Sequence, residues 1–152
     1  MTPVTHARAL RQAVMTVAIV AATAVSASAQ CSISSVEPLS FGTYDTFSPT
    51  PLDSMGRLTV QCAQAVWLQV TISHGGGNPN EPRVLRGGGG QLLYDVYLDA
   101  ARTIVWANGT RGTQAYQGFS TLFSLPIFGR IPAGQDAKAG AYSDRLTVRI
   151  DF

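Results

Sequence analysis

Residues 142–152 read YSDRLTVRIDF, and the alternation in that run constrains the fold more than any other stretch of the chain. Tyr142, Leu146, Val148, Ile150 and Phe152 share one parity. Ser143, Arg145, Thr147, Arg149 and Asp151 share the other, and only Asp144 interrupts the apolar row. A period of two belongs to a strand with one buried face, because successive side chains of an extended chain point to opposite sides. The run reaches Phe152 without a polar tail. Chain ends fray unless something holds them, so an apolar strand here requires a partner.

Similar runs recur upstream, separated by glycine and proline clusters. Ile33 to Phe41 is a candidate first strand, interrupted by Pro38. Leu58, Val60 and Cys62 alternate with polar residues, as do Val66, Leu68, Val70 and Ile72. HGGGNPNEP (residues 74–82) and Gly87 to Gly90 are breakers. Leu92 to Leu98, Thr103 to Ala107 and Ile127 to Ile131 read as strands, while Phe119 to Pro126 is ambiguous. Asn108-Gly109 is a tight-turn signal. No long helix is apparent. About seven short strands with turns between them predict an all-β sandwich of two packed sheets in a single domain.

The first residues have a different character. His6, Arg8 and Arg11 precede an apolar run from Ala13 to Val25 and a small-x-small site at Ala27-Ser28-Ala29. That order predicts a secretory signal peptide over 1–29 and a mature domain over 30–152. The apolar run is shorter than the roughly 20 residues of a membrane-spanning helix, so no integral membrane segment is expected after cleavage. A bulky Gln30 before Cys31 argues against a lipoprotein. Two of the 11 basic residues fall in the leader, leaving nine against nine acidic ones. A near-neutral mature chain gives no basis for binding nucleic acid or an anionic membrane. Cys31 and Cys62 make an even pair in an exported chain, which predicts a disulfide.

Catalytic motifs are incomplete. His74 is the single histidine after the leader, so neither a multi-histidine metal site nor a metal cofactor is expected. His74-Gly75-Gly76-Gly77 resembles the oxyanion loop of lipases, but a G-x-S-x-G elbow is absent from the sequence. Gly87 to Gly90 lacks the lysine of a phosphate loop. Asp45, Asp53, Asp95 and Asp99 do not match a calcium loop. Asn108-Gly109-Thr110 fits a glycosylation sequon and equally a turn. Trp67, Tyr97 and Trp106 are candidates for a sugar-binding surface or for ordinary sheet aromatics. The expectation is a protein that is not an enzyme and carries no cofactor.

The ordered set of short motifs resembles the spore coat protein U domain, which is shared with subunits of archaic, Csu-type chaperone–usher pili. The pieces are Cys31, FGTYD at 41–45, GRLTVQC at 56–62, LYDVY at 93–97, Val105-Trp106, FGRIPAGQ at 128–135 and GAYSD at 140–144. The resemblance implies an incomplete immunoglobulin-like sandwich lacking its last strand. It implies a groove beside the C-terminal strand, with Tyr142, Leu146, Val148, Ile150 and Phe152 on the groove side. A periplasmic chaperone, delivering to an outer-membrane usher, would fill the groove first, and a strand from another pilus or coat subunit would replace it. The physics would be strand addition, in which main-chain hydrogen bonds bind and alternate side chains fill pockets. Basic chaperone residues would grip the terminal carboxylate.

One departure shapes the expected role. Fibre-forming subunits of this kind carry a donor segment ahead of the first cysteine, whereas only Gln30 stands between the expected cleavage site and Cys31. The sequence therefore predicts a strand acceptor, at a pilus tip or in a coat, passing through the periplasm to the cell surface. The alternative is a lectin-like or adhesin module that contacts surfaces through the glycine-rich loops and nearby aromatics.

Overall fold

The computed structural model describes residues 30–152 except Asn80; the expected leader over 1–29 lies outside the described residues. The strands are β1 (Cys31–Glu37), β2 (Leu52–Ile72), β3 (Arg83–Gly87), β4 (Gly90–Tyr97), β5 (Tyr116–Ile131), β6 (Tyr142–Ser143) and β7 (Val148–Asp151). Every pairing between strands is antiparallel. The order is β1-β2-β5-β4-β3-β6, with β7 paired to β2. The β4–β5 junction holds by three residue pairs only, Asp95–Arg130, Val96–Gly129 and Tyr97–Phe128. There the sheet turns a corner and lays β4, β3 and β6 over β2 and β5. The fold is an all-β sandwich, as the alternation predicts.

The core lies between the two layers. Leu58, Val60, Leu68, Val70 and Ile72 come from β2, Phe123, Leu125 and Ile127 from β5, and Leu92, Tyr94 and Val96 from β4. The expected strands at 58–62 and 66–72 are one long β2, irregular between Gln61 and Val66. Extra residues in one strand bend it and increase its twist, which lets β2 serve both ends of the sandwich. The ambiguous stretch 119–126 belongs to β5 throughout.

Four readings need correction. The candidate first strand Ile33–Phe41 is β1 over Cys31–Glu37, which ends before Pro38, a residue with no N–H for a ladder. Thr103–Ala107 makes only an isolated bridge, Tyr97 to Val105, with Trp106 bridging to Gln114. Its backbone is otherwise engaged: the Asp99 carboxylate accepts from the Thr103 and Ile104 amides, and Trp106 is driven wholly into the core, where its indole N–H donates to the Val70 carbonyl at 2.9 Å. The strand Arg83–Gly87, between two breakers, is not apparent from alternation. It forms because Gly88 and Gly89, at φ 55° and 74°, close a two-residue hairpin to β4. The continuous strand expected over 142–152 is two strands on different layers: β6 pairs β3, and β7 pairs β2.

Two features close the sandwich. Cys31 and Cys62 are bonded and stand opposite each other across β1 and β2. The Gln135 side chain pairs with the exposed edge of β4 as another strand would. The Leu93 N–H donates to Gln135 Oε1 at 2.7 Å, and Gln135 Nε2 donates to the Leu93 carbonyl at 2.9 Å.

Candidate functional site

The two ends of the strand order, β1 and β6, are not hydrogen-bonded to each other. Between them the layers part into a groove of about 1000 Å³. One wall is the segment that continues β1, residues 36–47, and the other is residues 137–148. The floor is apolar: Ile72, Leu85, Leu92, Tyr94, Ile127 and Ile131. The parity of β1 shows what is missing. Ile33 and Val36 stand opposite Val60 and Leu58, which are fully buried. Opposed residues of an antiparallel pair share a face, yet Ile33 is 46% exposed and Val36 57%. Among the described residues, the inward face of β1 is only partly covered.

The 36–47 wall is anchored by its own aromatics. Phe41 packs edge-on against Tyr94 at 6.0 Å. The Tyr44 O–H donates to the Pro132 carbonyl and accepts from the Gln135 N–H, each at 2.9 Å. Sequence reasoning noted Phe41 as the end of a candidate first strand, and Phe41 and Tyr44 as parts of a family motif, and missed their place in the groove. The available signal was Leu39, Phe41 and Tyr44, apolar residues within a stretch that contains no strand.

The opposite wall contains Tyr142, Leu146 and Val148. Ile150 lies in β7, packs against the core and is not part of this lining. Phe152 is 59% exposed and borders a separate recess with Gln30, Cys31 and Cys62. Asp144 also faces the groove. Its carboxylate accepts from the Tyr94 O–H at 2.8 Å and the Gly76 N–H at 3.1 Å. Burial first, and then the Asp144 carboxylate, push the Tyr94 phenol far above its usual range.

The other candidates fall elsewhere. All three glycine N–H groups of the His74 loop have acceptors: Ser73 Oγ for Gly75, Asp144 for Gly76 and the His74 carbonyl for Gly77. None of these three amides is therefore turned to an external oxyanion. Burial, and then Arg83, hold the His74 pKa below its usual value. Trp106 is enclosed, whereas Trp67 is 72% exposed and packs at 5.6 Å from Phe119 on the outer face of β2 and β5. Tyr97 is half-buried at the corner. Asn108 closes a local turn, its Oδ1 accepting from the Thr110 N–H and O–H. Among the described residues, no group of three His, Cys, Asp or Glu is placed to hold a metal ion.

Comparison with known proteins bears on the family and the fold. The family model for the Spore Coat Protein U domain matches residues 15–149. A curated relative, Protein U of Myxococcus xanthus, is 28% identical over 127 residues, which covers 75% of this chain and 71% of that protein. Among solved structures, the fold is similar to a chain in the CsuC–CsuE chaperone–tip adhesion subunit pre-assembly complex, from archaic chaperone–usher Csu pili of Acinetobacter baumannii. The TM-score is 0.59 at 20% identity. The match covers 82% of this chain but only 40% of that one.

Proposed function

Because the chain belongs to the Spore Coat Protein U domain family, we propose that it is an exported structural subunit of a cell-surface appendage or coat, whose groove accepts a strand from another chain. The observation that carries this reading is the partly covered inner face of β1 opposite the apolar wall of Tyr142, Leu146 and Val148. An extended segment entering between them would meet two unpaired strand edges and an apolar floor. Its backbone would complete hydrogen bonds, and every second side chain would fill the groove. A periplasmic chaperone would occupy the site in transit and pass the subunit to an outer-membrane usher. The strand of a neighbouring subunit would then replace the chaperone at the surface. The described chain offers Tyr142, Leu146 and Val148 directly to such a strand. Ile150 and Phe152 lie outside the groove lining, and a strand that ran on along β7 would reach them at the edge that β2 does not occupy.

Coexpression with a chaperone of the Csu type tests this. The expected result is a one-to-one complex, weakened by a charge at the groove rim such as Val36→Glu. A domain that stays monomeric, fully stable and indifferent to any such chaperone would sink the reading.

A second reading rests on the exposed Trp67–Phe119 pair, flanked by a Gln69–Gln117 side-chain hydrogen bond at 2.9 Å. Aromatic faces beside amides suit a sugar, and they would make the subunit an adhesin as well. Glycan-array binding that disappears in a folded Trp67→Ala variant would support it, and binding unchanged in that variant would remove it.

A further inference from the structure

Asp144 is the one residue that breaks the apolar row of the C-terminal segment, and the fold gives it a place. It follows β6 directly, and the chain then crosses from β3 to β2 through residues 144–147. The carboxylate accepts three hydrogen bonds, from Tyr94 O–H at 2.8 Å, Gly76 N–H at 3.1 Å and Arg145 N–H at 2.8 Å. The rest of the crossing is fixed to the same turn: Thr147 N–H donates to Ser73 Oγ at 2.8 Å, and Ser73 N–H donates to the Thr147 carbonyl at 2.9 Å. Gly75 makes room for this approach. It sits at φ 60°, and a Cβ there would collide with the Asp144 carboxylate. Arg86 ties the turn to β3 by donating to the Gly76 carbonyl at 3.1 Å. The glycine loop that resembles an oxyanion loop in sequence is therefore a receptor for a carboxylate of its own chain.

We propose that Asp144 is the positioning residue of the groove: latched onto the Ser73–Gly76 turn and Tyr94, it forces the C-terminal segment from one layer to the other and so holds that wall apart from β1. An apolar residue at this position would continue the period of two and let the segment run on beside β3. The wall of Leu146 and Val148 would then leave its present place. The inference rests on the strand-accepting reading for its purpose, but not for its geometry.

The test uses the exported domain with its disulfide intact and two probes. One is the dye 8-anilinonaphthalene-1-sulfonate, which fluoresces in apolar clefts. The other is a soluble peptide of about twelve residues that alternates valine and threonine, long enough to cross a sheet. Val36→Glu must abolish the dye signal, which identifies the groove as the site read. Asp144→Leu is expected to weaken dye binding about tenfold or more and to speed amide exchange over residues 145–150. Asp144→Asn keeps an oxygen for Gly76 and Arg145, and its amide can donate to Tyr94, so its affinity should stay within about threefold of the parent. A merely structural role would lower the melting temperature of Asp144→Leu and leave the dye affinity of the folded protein unchanged. That result overturns the proposal.

If Asp144→Leu does not fold, the parent protein decides. Its Gly76 and Arg145 amides should exchange at least about tenfold more slowly than the same residues in an unstructured chain, and unprotected amides would mean that the latch is not formed. The peptide separates the two claims. Dye binding without peptide binding removes the strand-accepting reading, while the Asp144 proposal is judged on the dye alone.

Discussion

Arg83 is a cation with no exposed surface, and its neighbours account for it. Its guanidinium donates to Asp95 at 2.6 Å, to the carbonyls of Ser73 and Trp106 at 2.9 and 2.7 Å, and to that of Ile72 at 3.3 Å. One side chain thus joins β2, β4 and the Trp106 segment. Burial raises the pKa of Asp95, and Arg83 pulls against it. Arg83→Met is expected to cost about 3–5 kcal/mol, because a buried carboxylate loses its counter-charge. Urea unfolding measures this, and a loss under about 1 kcal/mol would contradict it. Asp53 behaves oppositely. A hydrogen bond from Arg130 at 2.7 Å, aided by the charge of Arg102, holds its pKa below the usual value. Folding therefore favours the carboxylate. Its contribution is complete above the unfolded pKa of about 3.9 and is lost as the pH falls through the lower folded value. Asp53→Asn should flatten the acid limb of melting temperature against pH below about pH 4; identical limbs would refute it. Neither partnership is legible in the sequence. Arg83 lies 12 residues from Asp95, and Asp53 lies 77 from Arg130.

Strands are where the sequence speaks most clearly, and where its silence has physical causes. The runs at 58–62, 66–72, 92–98 and 127–131 all lie in or mostly in strands. The first two are one element with the same parity inward, and in the alternation only Gln64, polar in the apolar row, separates them. Alternation cannot show that 142–152 divides, since the division depends on Tyr94 and Gly76, far away in sequence. The groove was legible only in part. Its C-terminal side was implied by the family resemblance, and Tyr142, Leu146 and Val148 of the five expected residues line it, whereas residues 42–47 carry no periodicity to announce the other wall. The disulfide was legible outright. Its mechanical role is to hold β1, whose side chains are mostly exposed, to β2. Replacing both cysteines by serine should cost about 2–4 kcal/mol in the chain-entropy account of a cross-link separated by 31 positions. Amide exchange should rise first along β1. Uniform acceleration through β2 and β5 instead would show that the bridge supports the core as a whole.

At the scale of the molecule, the described layers part along the groove, where Ile33 and Val36 of β1 stay about half-exposed. Supplying a strand in cis is therefore the expected route to stability. A valine–threonine strand of about ten residues, joined after Phe152 by a flexible glycine–serine linker, should raise the melting temperature and lower dye binding together. Burying about 100–200 Å² of apolar surface on Ile33, Val36 and the floor corresponds to roughly 2.5–5 kcal/mol as an upper estimate. A fused strand that leaves both measurements unchanged would mean that the groove does not take one. The Gln135 amide adds a consequence for assembly. By clasping Leu93, it stops the β4 edge from recruiting a neighbour there. If the groove takes a strand as proposed, this clasp leaves an incoming chain one edge fewer to choose between, so the selectivity of docking would be set in part by a side chain remote from the joint.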